Sequence, residues 1–198
     1  MRSRSKKEYS QLPMSTKVEA TIDDLYKVEG KAELVNGEIV HMSPTGLLPH
    51  YAARQITIAL ALYEQATGKG IAIGDNAAFV VNLPHRKSFS PDAAFYTGKA
   101  TMKFGEGAPI FAVEVRSEGD YGPRAERQMA AKRDDYFAAG TLVVWDVDLL
   151  SDDVVRVYRA GQPQTPTVYK RGEFAEAEPA LPGWTMPVDD LFFEENER

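Results

Sequence analysis

A mixed α/β fold is what the sequence predicts, and three observations carry it. Two stretches, 48–67 and 124–139, repeat apolar residues with helical period. Short runs of β-forming residues lie between and after them. An Asn36-Gly37 pair separates two more such runs. Asn-Gly is the strongest short hairpin signal, because a type I′ turn needs positive φ at both central residues. No repeat or low-complexity linker divides the chain, so residues 16–198 are read as a single domain. Ahead of it, residues 1–15 are polar, basic and without period, and are read as a disordered tail.

Each element has a local cause. Thr21-x-x-Asp24 resembles a capping box and opens a short helix that ends by Gly30. In the hairpin, a two-residue turn sets Val35 opposite Glu38 and Glu33 opposite Val40, which places Glu33, Val35, Glu38 and Val40 on one face. If that face meets water, its two carboxylates are merely solvated. Across 48–67, Ala52, Ile56, Ala59, Leu60 and Tyr63 form a stripe, and Gly68 stands where a left-handed cap belongs. Ile71–Ile73, Ala78–Val81, Ala93–Tyr96 and Ile110–Val115 read as strands. Gly140 stops the second helix; Leu142–Val147, Val154–Tyr158 and Thr167–Lys170 follow as strands. The stretch from Leu181-Pro182-Gly183-Trp184 to Leu191-Phe192 reads as a closing segment laid across the body.

Composition narrows the function. With 43% hydrophobic and 26% charged residues the chain can bury a core. The absence of cysteine removes disulfides, thiolate zinc sites and thiol nucleophiles, and is compatible with the reducing cytoplasm, the expected location. His41, His50 and His85 lack HExxH spacing and are read as non-ligands. No run of about 18 apolar residues exists, so no transmembrane helix is expected. The basic N-terminus has no apolar stretch after it, so no secretory leader is expected either. A net charge of −6 argues against coating of DNA by global charge. A local groove remains open, with Lys99, Lys103, Arg124 and Arg127 as candidates for its lining or for ordinary solvated surface.

The chemistry concentrates in three pieces. Ser90-Pro91-Asp92 delivers an aspartate to the start of a strand. Ile110–Arg116 carries Glu114 inside an apolar run suited to an interior strand, where an unpaired charge costs several kcal/mol, roughly. Either a divalent cation shared with Asp92 or an Arg or Lys partner must compensate it. On the 124–139 helix, Ala125, Met129, Lys132, Tyr136 and Ala139 share a stripe at about 100° per residue, while Arg127, Asp134 and Asp135 point elsewhere. Lys132 then either snorkels or meets a buried carboxylate, for which Glu114 is a candidate.

A Pro-Asp followed by a strand ending Glu-x-basic resembles the signature of the restriction-endonuclease-like nucleases. More specifically, the chain resembles the Uma-two family, bacterial proteins described as restriction endonucleases of that fold. The matching stretches run in the family's order: Glu33-Leu34-Val35-Asn36-Gly37-Glu38, Ser90-Pro91-Asp92, Val113-Glu114-Val115-Arg116-Ser117 and Lys132-Arg133-Asp134-Asp135-Tyr136 with Gly140. Val144-Trp145-Asp146-Val147-Asp148 and Leu181-Pro182-Gly183 complete them, and the resemblance spans roughly residues 20–192.

The resemblance implies a restriction-endonuclease-like mixed central β-sheet flanked by helices, with an N-terminal hairpin. It implies Asp92 and Glu114 as ligands of Mg2+ or Mn2+, with Lys132 orienting water or the scissile phosphate. Glu33 would complete the metal shell or polarise water, with Glu38 as the fallback. Arg116 stands where the wider superfamily places lysine; it stays protonated and can clamp phosphate but cannot act as a base. The expected activity is metal-dependent endonuclease cleavage of DNA, and a homodimer would suit cutting two strands. The alternative is a catalytically silent nuclease fold serving as a binding or assembly module, with Glu114–Lys132 a structural pair. A two-carboxylate glycosidase ranks last, since the only two tryptophans have structural explanations.

Overall fold

The computed structural model describes residues 18–193, so the tail expected at 1–15 lies outside the described residues. Thr21 caps α1 (Ile22–Leu25), closing the capping box with Asp24. Strands β1 (Ala32–Val35) and β2 (Glu38–His41) form the hairpin, with φ of 52° at Asn36 and 71° at Gly37. Glu33 pairs with Val40 and Val35 with Glu38, as the turn chemistry requires. Helix α2 (Leu47–Thr67) ends on Gly68 at φ 64°, a left-handed position that a side chain would strain.

Strands β3 (Ile71–Ile73), β4 (Phe79–Val80), β5 (Ser88–Phe89), β6 (Ala93–Tyr96), β7 (Gly105–Glu106) and β8 (Phe111–Val115) follow. Helix α3 (Pro123–Ala138) then leads to β9 (Val143–Val147), β10 (Val155–Arg159) and β11 (Gln162–Tyr169). Strands β12 (Phe174–Glu176) and β13 (Thr185–Pro187) and a 3-10 turn (Val188–Leu191) complete the described chain. The strand expected at 78–81 is shorter, and that expected at 167–170 begins five residues earlier, at Gln162. Strands β5, β7, β12 and β13, of two or three residues each, are too short to leave a period in the sequence.

Six strands make the central sheet in the order β11-β10-β9-β8-β6-β3. Within this sheet, among the described residues, β8 and β9 are the one parallel pair. A parallel pair needs a crossover, and α3 supplies it. Period-2 alternation then divides the sheet into two faces. Phe111, Val113 and Val115 of β8 and Val143, Trp145 and Val147 of β9 join Ala52, Ile56 and Leu60 of α2 in the main core. The closing segment lands on this core through Leu181, Trp184, Met186, Val188 and Leu191. Trp184 and Trp145 sit 5.2 Å apart there, and their indoles donate to Ala59 O and Glu176 O. The opposite face carries Ala112 and Val144 beneath Tyr136 of α3, which stacks on Phe89 of β5 at 4.0 Å. On this second face the next residues along β8 and β9 are Glu114 and Asp146, paired in register.

The N-terminal hairpin docks beside that second face. Leu34 N donates to Ser88 Oγ at 2.8 Å, Lys87 N to Leu34 O at 2.8 Å, and Asn36 N to His85 O at 2.6 Å. Leu34 packs with Leu25 and Ala32 on one side of the hairpin. The alternation therefore turns Glu33 to the other side, toward α3.

Candidate functional site

Four segments converge at the α3 face of the sheet. Asp92 arrives just before β6, hydrogen-bonded through its amide to Val113 O at 3.0 Å. Its Oδ2 accepts from Val115 N at 2.8 Å, and its Oδ1 meets Lys31 Nζ at 2.6 Å. Glu114 lies on the adjoining strand. Its Oε2 accepts from Lys132 Nζ at 2.8 Å and its Oε1 from the Tyr136 hydroxyl at 2.6 Å. Lys132 and Tyr136 are one helical turn apart on α3, so a single helix face grips both oxygens.

Glu33 stands behind Lys132. Its Oε1 accepts from Lys132 Nζ at 2.9 Å and from Ser90 N at 2.9 Å, and its Oε2 from Arg86 at 2.5 Å. It is only 3% exposed, whereas Glu38 across the turn is exposed, which separates the two hairpin carboxylates. Arg86 also donates from Nε to Asp135 Oδ2 at 2.7 Å, and His85 Nε2 faces Asp135 Oδ1 at 2.7 Å. Asp135, expected to point away, is thus buried: the 85–88 segment wraps the flank of α3 and covers a position that a helix on a flat sheet would expose. Lys31 bridges outward, reaching Asp75 Oδ1 at 2.7 Å as well as Asp92.

The electrostatics follow from burial against pairing. Burial works against the Lys132 ammonium, but Glu114 and Glu33 outweigh it and hold its pKa above the usual lysine range. Burial raises the Glu114 carboxyl; Lys132 opposes this, while Asp92 and Glu33 add to it, and the net direction is upward. Glu33 goes the other way: burial would raise it, yet Lys132, Arg86 and the Ser90 amide hold it down. Two acids in contact with one ammonium are therefore driven in opposite senses.

Arg116 belongs to a different network on the same face. It grips Asp146 with two bonds of 2.8 Å, reaches Glu126 on α3, and lies 4.0 Å from Asp148. Both Arg116 and Asp146 are buried, so the guanidinium is withdrawn into a structural ion cluster. Lys99, Lys103, Arg124 and Arg127 are all exposed.

The structure thus brings Asp92, Glu114, Lys132 and Glu33 together, and adds Arg86, Lys31, Tyr136 and Asp75. Tyr136 was legible as the stripe neighbour of Lys132. The His85-Arg86-Lys87 run was a visible cluster of basic residues, but nothing local ties it to Glu33 more than 50 positions away. Among the described residues no group of three or more His, Asp or Glu side chains is gathered as a metal shell. Asp92 and Glu114 nevertheless offer hard carboxylate oxygens at a partly open edge, each about a quarter exposed, with further acids beside them. This donor set fits a hard divalent cation.

The fold is a restriction-endonuclease-like mixed β-sheet flanked by helices, and an acid–lysine pair sits on its α3 side. The chain belongs to the Uma2 (Uma-two) family, described as "Putative restriction endonuclease", whose match covers residues 20–189. Among solved structures it is similar to a crystal structure titled a putative nuclease belonging to DUF820 from Anabaena variabilis, with 16% identity and a TM-score of 0.67. That alignment covers 87% of this chain and 97% of the other. At this identity the likeness speaks for the fold. No curated protein matches the sequence. Among the described residues no helix is long and apolar enough to cross a membrane.

Proposed function

We propose that the protein is a metal-dependent endonuclease that hydrolyses phosphodiester bonds, with DNA as substrate. The observation that carries this reading is the Glu114–Lys132 contact of 2.8 Å on the α3 face of the sheet beside Asp92, with Glu33 buried behind the lysine. Asp92 and Glu114 would hold Mg2+ or Mn2+. When bound, the ion supplies Lewis-acid stabilisation of a phosphoryl oxygen and a more acidic water.

The chain's own residues have separable tasks. Lys132 stays protonated, because Glu114 and Glu33 favour its charge, so its role is to donate to a phosphate oxygen as negative charge builds, not to remove a proton. Glu33, its oxygens already occupied by Lys132, Ser90 and Arg86, fixes where that ammonium points. Arg86 and Asp135 continue the chain of charges and hold Glu33 to α3. Tyr136 aligns Glu114 through its hydroxyl. Arg116 takes no part at the phosphate in this reading, because Asp146 and Glu126 engage it.

A second reading, a silent nuclease fold used for binding or assembly, is favoured by one observation. The oxygens of Glu33, Glu114 and Asp92 are already met by the chain's own donors. Calorimetric titration of Mn2+ separates the two. The nuclease reading expects binding in the wild type that disappears in Asp92→Ala, followed by cleavage of DNA in the presence of the ion. Absence of Mn2+ binding at millimolar concentration and neutral pH would sink it in favour of the second.

A further inference from the structure

Asp92 has two oxygens, and they are not equivalent. Oδ2 is tied to the backbone of β8 through Val115 N at 2.8 Å, which fixes the carboxylate's orientation. Oδ1 is left facing outward, and Lys31 Nζ meets it at 2.6 Å. The same ammonium is 2.7 Å from Asp75 Oδ1, an oxygen that also accepts from Asn76 N at 2.8 Å. Lys31 thus occupies the point where two carboxylates from different segments converge. Lys31 is itself anchored, since its carbonyl accepts from Met42 N at the open end of the hairpin. Its side chain is 16% exposed, and a flexible four-carbon stem gives it room to withdraw.

We propose that Lys31 is a tethered cation that competes with the divalent metal for Asp92, so that metal binding displaces its ammonium from Oδ1. An ammonium and a divalent ion at one carboxylate oxygen repel each other, and whichever is present excludes the other. The hairpin therefore carries a built-in occupant of the outward oxygen, one that lowers metal affinity and keeps Asp92 paired when metal is scarce. The inference rests on the metal reading above, with Asp92 as a ligand.

The test is Mn2+ calorimetry on the full chain, with no need for activity. Lys31→Met keeps the stem and removes the charge; its Mn2+ Kd should fall at least tenfold below that of the wild type. Asp92→Asn should abolish binding in both backgrounds. Wild-type or weaker affinity in Lys31→Met, with wild-type binding intact, overturns the competition while leaving the metal site standing. No binding in either protein overturns the metal reading and the inference together. Should Lys31→Met fail to fold, the wild type supplies the answer through lysine labelled with 13C at Cε. The Lys31 resonance, assigned with Lys31→Arg, should move on Mg2+ titration with the affinity measured calorimetrically. A resonance that stays still while Mg2+ binds overturns the proposal.

Discussion

The two faces of the central sheet are built on opposite principles. Toward α2, Phe111, Val113, Val115, Trp145 and Val147 pack on Ala52, Ile56 and Leu60, and the closing segment seals the layer. Toward α3, the same strands present Glu114 and Asp146 to Lys132 and Arg116. The apolar face is non-directional, and its stability grows with area removed from water. The charged face is directional: each group is held because several others point at it. A buried ion network rarely outperforms apolar packing of the same volume. Under the nuclease reading the α3 face, where Glu114 and Asp146 meet Lys132 and Arg116, is the working side and the apolar face its foundation.

Breaking the charged side should cost most. Arg86→Ala leaves Glu33 and Asp135 without their shared partner, and we expect about 3–5 kcal/mol of lost stability in urea unfolding. A loss below about 1 kcal/mol would mean that water replaces the guanidinium and the network is not directional. The matching cut on the other side is Leu60→Ala, at a fully buried position of α2. It should cost about 2–5 kcal/mol through the cavity it leaves. While folded, that variant should bind Mn2+ as the wild type does, and weakened binding would show the faces to be coupled.

The smallest effect is a pair of slopes. Glu114 has its carboxyl raised above the ordinary 4.5, so its contribution is full below that pH and is lost as pH rises through the folded value. Glu33 is lowered, so its contribution is full above 4.5 and is lost as pH falls through its folded value. Relative to wild type, Glu114→Gln should therefore gain stability as pH rises from acid toward neutral, and Glu33→Gln should lose it. Urea midpoints measured across that range check the signs; slopes of the same sign would contradict the opposed environments.

Much of this contrast was legible in the residues. The hairpin register follows from Asn36-Gly37, and the crossover helix from its stripe and Gly140. The meeting of Lys132 with Glu114 follows from a lysine on the sheet-facing stripe and a carboxylate inside an apolar strand. The ion pairs of Arg86 and Lys31 were not legible, because they join residues 44 to 61 positions apart with no period to announce them. Asp135 lies off the sheet-facing stripe, as expected, but its burial was not legible for a related reason. A helical wheel knows the sheet beneath a helix but not the loop that climbs its side.

The paired tryptophans give the foundation face an optical signature. Trp145 and Trp184 are the only indoles in the chain, and both lie in the apolar layer, one on the sheet and one on the closing segment. Their emission therefore reports the docking of residues 181–191 onto α2 and the sheet, and is silent about events confined to the α3 side. A denaturation curve followed by fluorescence reads the foundation, and one followed by labelled lysine reads the working side. Coincidence of the two curves would establish that both melt as one cooperative unit.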